Sequence, residues 1–148
     1  MHSVLGVFTN RWVFCAFTAW FIAQLIKCVI YRDFRWQRFL AAGGMPSSHT
    51  SAVIALTTLI GSREGFDSAI FAVSIVFSVI VMYDAAGVRR ETGRQGKAIN
   101  EILQNVLVGG EPITDDIMKE IVGHRPIEVA MGALLGLVVA VIFILAGW

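Results

Sequence analysis

At 148 residues the chain suits one domain, and 56% of it is apolar against 16% charged, where an ordinary soluble domain carries about 25% charged residues. A mean hydropathy of +0.70, with ten Phe and four Trp, excludes a disordered or acidic solvating module, and a net charge of +1 leaves no basic excess for gripping a nucleic-acid backbone. Cys15 and Cys28 both fall inside one apolar run, so they make neither a disulfide framework nor a zinc site and read as small buried hydrophobes.

A helix needs about 20 apolar residues to cross a hydrocarbon layer, and four segments meet or approach that length. The first spans about Trp12 to Tyr31, interrupted by Gln24 and Lys27 near its far end. No Lys or Arg precedes Arg11 and no small-residue cleavage pattern follows the run, so a permanent span is expected rather than a secretory signal. The second, about Pro46 to Ile60, is short and rich in Ser, Thr and Ala, which suits a helix that enters part of the bilayer or sits among others. The third covers about Phe66 to Tyr83. Beyond it, Ala98, Ile99, Ile102, Leu103, Val106 and Leu107 recur at helical spacing between Arg94 and Val108, the pattern of an amphipathic helix on the membrane or across the bundle. Gly109, Gly110 and Pro112 stop it, and Thr114 with Asp115 and Asp116 starts a second short helix that ends at Gly123. The fourth apolar segment is about Ile127 to Trp148, where Gly132 and Gly136 lie four apart as in a close helix-packing face.

Four crossings place Arg32 to Met45 and Asp84 to Arg125 on one side of the membrane. With Lys27 these hold ten of the twelve lysines and arginines, leaving Arg11 and Arg63 opposite. The positive-inside bias then puts both long segments in the cytoplasm. The expected fold is an all-α polytopic membrane bundle forming a single integral membrane domain over 1–148. It has about four membrane segments plus one or two amphipathic cytoplasmic-side helices.

Three clusters can carry chemistry. In Gly43-Gly44-Met45-Pro46-Ser47-Ser48-His49-Thr50-Ser51 the glycines permit close backbone approach and Pro46 suits a helix start. The amides of that turn, with the Ser47 and Ser48 hydroxyls, would face an anion, and His49 could protonate a leaving oxygen. The plainer alternative is a turn, a serine-rich helix and a satisfied histidine. In Gly123-His124-Arg125-Pro126-Ile127-Glu128, Glu128 could orient His124 for attack, or it could be the acidic member of a capping box. In Tyr83-Asp84-Ala85-Ala86-Gly87-Val88-Arg89-Arg90 the arginines could clamp phosphate oxygens, pair with Asp84, or meet lipid headgroups. Lys27 alone reads as a snorkelling cation. Together Lys27, Arg35, the Pro46 helix start, Arg89, Arg90 and His124 face one side, as an oxyanion site requires.

The order Lys, Arg, Pro-Ser-x-His, Arg, His-x-x-x-acid resembles the type 2 phosphatidic acid phosphatase superfamily, which includes vanadium-dependent haloperoxidases. The closer likeness, over nearly the whole chain, is to its divergent, acid phosphatase/haloperoxidase-related bacterial group. The carrying stretches are Gly44 to Thr50, Asp84 to Arg90 and Gly123 to Val129. The resemblance implies a helical membrane bundle with no metal requirement and a phosphohistidine intermediate. His124 matches the nucleophile, His49 the general acid, Glu128 the orienting acid and Lys27 the first-motif lysine. Four departures stand out. Phe34 occupies the place of the family's first arginine, with Arg35 one step late and followed by Trp36. Ser48 replaces a glycine, more than thirty residues separate Arg90 from His124 where the family gap is short, and Glu128 replaces Asp.

The resulting expectation is a membrane phosphatase that hydrolyses a lipid phosphate or pyrophosphate. His124, His49 and Glu128 would be catalytic, Lys27, Arg35, Ser47, Ser48, Arg89 and Arg90 would bind phosphate, and Asp84 would stand behind them. Phosphate or vanadate could occupy the site, and no metal or other cofactor is expected. The partners expected are the substrate and membrane lipids, with glycine faces suited to a homodimer and no nucleic acid, in a bacterial plasma membrane with the site on the cytoplasmic side. The rival reading is a non-catalytic phospholipid headgroup-binding or lipid-transporting protein, with a vanadate haloperoxidase behind it.

Overall fold

A computed structural model describes residues 6, 9–34, 44–106 and 124–148. Each helix starts where the local chemistry favours it. Asn10 accepts from the Trp12 and Val13 amides at 3.0 and 3.2 Å and opens α1 (Arg11–Tyr31). Ser47 opens α2 (Ser48–Glu64), which stops at Gly65, where φ is +94°. Ser68 caps α3 (Ala69–Tyr83) through the Phe71 amide at 3.3 Å. Pro126 begins α5 (Pro126–Leu145), preceded in chain order by α4 (Arg89–Val106). No strand occurs among the described residues.

Three helical stretches are long and apolar enough to cross a membrane, namely Arg11–Tyr31, Ala69–Glu101 taken as one, and Pro126–Leu145. The expected second span is present as α2 but is not one of them, being 17 residues long with a polar face. It is instead the central helix, packed on α1, α3 and α5. Its small residues make that possible. A Cβ added at Gly132 of α5 would lie 2.5 Å from the Ser47 carbonyl, and one at Gly136 would fall on the Ser51 carbonyl, so the glycine pair does form a close helix contact. Cys15 and Ala19 of α1, Ala55 and Leu59 of α2, and Val139 and Ala140 of α5 close the core.

The outer helix α3 buries only Ser78 among its residues. Hydroxyls hold it to α2: Thr57 Oγ1 lies 2.8 Å from Ser78 Oγ, Ser78 Oγ donates to the Val53 carbonyl at 3.3 Å, and Thr57 donates to the Ser74 carbonyl at 3.2 Å. Most of its remaining surface, including Val73, Val76, Phe77 and Val79, is exposed, as expected of a face covered by lipid tails.

One boundary differs from expectation. The third segment does not stop at Tyr83 but widens into a single π-helical turn (Asp84–Val88) and continues as α4. No proline interrupts 69–106, and an apolar helix running into a polar one leaves no terminator in the pattern. The amphipathic helix expected from Arg94 therefore begins at Arg89. Its apolar side chains from Ile102 onward, and the second short helix from Thr114, lie outside what the structure describes.

Candidate active site

Three connections gather one end of the bundle. Lys27 Nζ, near the end of α1, donates to Ser48 Oγ at the start of α2, 3.4 Å away. The Ser47 amide donates to the Glu128 carbonyl of α5 at 3.0 Å, and the His124 amide donates to the Ala85 carbonyl in the wide turn at 3.1 Å. The end of α1, the start of α2, the end of α3 and the start of α5 therefore meet, which is how residues about a hundred positions apart in the chain come to share one site.

The segment leading into α2 is shaped by contact. Gly44 has φ +83°, and a Cβ there would press within 3.0 Å of the Tyr31 ring; the Tyr31 hydroxyl in turn accepts from the Met45 amide at 3.3 Å. Ser47 is fully buried and caps its own helix, its hydroxyl accepting from the Thr50 amide at 3.4 Å and the Thr50 hydroxyl at 3.0 Å. Ser48, the residue standing in the place of a glycine, supplies the oxygen that meets Lys27. With 3% of its surface exposed, Lys27 does not snorkel. Burying an ammonium costs several kcal/mol unless it is compensated, and this one is compensated in part by the Ser48 hydroxyl.

Between α2 and α3 lies a cleft of about 260 Å³ lined by Ser47, His49, Ile80, Val81, Asp84, Ala85 and His124. His49 projects from the first turn of α2 and is exposed, whereas His124, held just before α5, is 4% exposed. Both histidines thus border one cavity, with Asp84 among the residues that line it. Ile80 and Val81 were not singled out by the sequence reading. They stand four and three residues before Asp84, so helical spacing from that residue points to them.

Two of the remaining expected residues, Glu128 and Arg90, are elsewhere. The Glu128 carboxylate accepts from the Arg125 amide at 3.1 Å, which is half of a capping box; the arginine side chain has no acceptor to complete it. Glu128 does not line the cleft, and neither does Arg90, which is exposed. Arg35 and the side chain of Arg89 lie outside the described residues.

Comparison with known proteins bears on what such a cleft is for. The model of the Divergent PAP2 family matches residues 8–139. The chain is also 36% identical over 152 residues to a Bacillus subtilis (strain 168) protein named uncharacterized membrane protein YuiD, across 93% of this chain and 96% of that one. No solved structure matches.

Proposed function

The chain belongs to the Divergent PAP2 family of membrane proteins, and from that premise we propose that it is a membrane-embedded phosphatase hydrolysing a lipid phosphate or pyrophosphate, with its site on the cytoplasmic face of a bacterial plasma membrane. The observation that carries this reading is the shared cleft of His49, His124 and Asp84 beside the N-terminus of α2. In the first step a ring nitrogen of His124 attacks phosphorus while the bond to the leaving oxygen breaks, and His49 gives that oxygen its proton. In the second, His49 takes a proton from water as the water oxygen attacks the phosphohistidine, freeing inorganic phosphate and restoring His124. Lys27 and the first-turn amides of α2 contribute positive potential for the phosphoryl oxygens, and charge stabilisation of this kind is the main lever in phosphoryl transfer. Arg35, Arg89 and Arg90 are the further cations this reading assigns to the phosphate.

Within this reading Asp84, rather than Glu128, is the acid that orients a histidine. Glu128 already holds the Arg125 amide, whereas Asp84 sits on the cleft wall next to Ala85, whose carbonyl holds the His124 backbone.

A second reading, a headgroup binder without turnover, is favoured by one observation. Ser47 caps its helix and Ser48 meets Lys27, so neither hydroxyl is reserved for a substrate. Purified protein in detergent, given a panel of lipid monophosphates and diphosphates, separates the two. The phosphatase releases inorganic phosphate and yields a trapped phosphohistidine, and His124→Ala lowers release about 10³-fold or more. Release by wild type no greater than by His124→Ala, or lipid binding with no covalent intermediate, overturns the enzyme.

A further inference from the structure

The other end of the bundle carries a cluster that the phosphatase reading does not use. A cleft of about 90 Å³ is lined by Arg11, Trp12, Leu59, Arg63, Glu64 and Trp148. A second, of about 360 Å³, is lined by Arg11, Ala146, Gly147 and Trp148. Arg11 is the first residue of α1, and no acidic residue stands in that first turn. A cation there adds to the positive end of the helix dipole instead of opposing it. Arg63 reaches the same cleft from the last turn of α2. Among the described residues neither guanidinium makes an ion pair, and the Glu64 carboxylate beside them makes none either. Two guanidinium forks thus face the cleft with the Glu64 carboxylate beside them.

The walls fix its depth and its second chemical character. The Trp148 ring stacks on Phe14 at 5.4 Å and 20° and meets Phe143 edge-on at 5.4 Å. The Leu59 side chain, 1% exposed, forms an apolar floor. Indoles with one wet edge settle at the membrane–water interface, the level at which lipid phosphates lie. Arginine forks bind phosphate oxygens in pairs.

From this arrangement we propose that the Arg11/Arg63 cleft is a binding site for the phosphodiester headgroup of a membrane phospholipid in the leaflet opposite the histidines. The two guanidinium forks offer paired donors to the oxygens of a phosphodiester. The apolar floor and the aromatic wall take the glycerol end of the lipid, and its acyl chains run down the exposed outer faces of α1 and α5. The site is independent of the phosphatase chemistry: a phosphodiester offers no terminal phosphate, and the histidine cleft lies at the other end of the molecule.

Native mass spectrometry of the delipidated, detergent-purified protein tests it, with phosphatidylglycerol as the probe and inorganic phosphate in a parallel arm. One phosphatidylglycerol is expected to be retained by wild type and by His124→Ala alike. Retention falls at least fivefold in the Arg11→Gln/Arg63→Gln pair, with an intermediate loss in Arg11→Lys/Arg63→Lys, which keeps charge but not the fork. A headgroup photo-crosslink maps to peptides containing Arg11 or Trp148. Equal retention by the glutamine pair, a crosslink confined to the His124 end, or inorganic phosphate displacing the lipid at equal concentration overturns the proposal. Helix content by circular dichroism is checked for each variant, and if the glutamine pair is misfolded the lysine pair alone decides: wild-type retention in it overturns the fork.

Discussion

A carboxylate in the first turn of a helix has two competing uses, since it can accept backbone N–H groups or serve a neighbouring side chain. Glu128 takes the first, holding the Arg125 amide at 3.1 Å. Asp84, carried by a different helix, is on the wall of the histidine cleft. The two carboxylates should therefore answer differently to loss of charge. Glu128→Gln keeps an oxygen that accepts the Arg125 amide, so phosphatase activity should stay within about threefold of wild type; Glu128→Ala should cost about 1 kcal/mol in stability through the lost cap. Asp84→Asn should lower kcat by about 10²-fold or more with little change in unfolding, and should shift the pH–rate profile. Equal kcat losses in Asp84→Asn and Glu128→Gln would sink the assignment. Sequence spacing could not separate these roles, because Glu128 stands four residues after His124, as a catalytic pair can, and also three after Arg125, as a capping box requires. It did bring forward Lys27, Ser47, Ser48, His49, Asp84 and His124, all of which the structure gathers at one end of the bundle.

At the scale of the helix, small residues decide how near two backbones come. Gly136 lies against the Ser51 carbonyl and 3.1 Å, measured from an added Cβ, from the Ala55 amide nitrogen. Gly136→Ala should push α5 away from α2 and destabilise the bundle by about 1–3 kcal/mol, as overpacking does. Gly96 of α4 has nothing within 4 Å of such a Cβ, so Gly96→Ala should be neutral or stabilising by up to about 1 kcal/mol, the helix-propensity difference. Unfolding in a denaturing detergent titration measures both, and the same sign for the two would contradict the packing described. The glycine pair was visible as a spacing in the sequence. The wide turn at Asp84–Val88 was not, since an extra residue in a helical turn changes no hydrophobic period long enough to read. The central position of α2 was only half visible: its serines and threonines signalled a helix among helices, but not which neighbours they would meet.

For the molecule as a whole, alternating helices put Arg63 and the α3–α4 junction at opposite ends. Arg11 and Trp148 share the Arg63 end. In a background with Cys15→Ala and Cys28→Ala, a membrane-impermeant maleimide applied to intact cells should label an Arg63→Cys variant. An Arg90→Cys variant should be labelled only after the membrane is opened. Labelling of both from one side would refute the alternation, and the reverse pattern would refute the cytoplasmic placement of the histidines. The sequence supported this arrangement through apolar length and the one-sided distribution of basic residues, both of which act at the scale of the whole chain.

The two bonds that tie α5 to the site, from the Ser47 amide to the Glu128 carbonyl and from the His124 amide to the Ala85 carbonyl, are made by peptide groups alone. Every residue carries a carbonyl and every residue except proline carries the amide, so this frame makes few demands on side-chain identity. A serine can stand for a glycine beside the lysine, or a glutamate for an aspartate one turn into α5, while the two histidines stay on one cleft. The backbone frame of the histidine cleft is thus separable from the side chains that line it, and variation in the one need not dismantle the other.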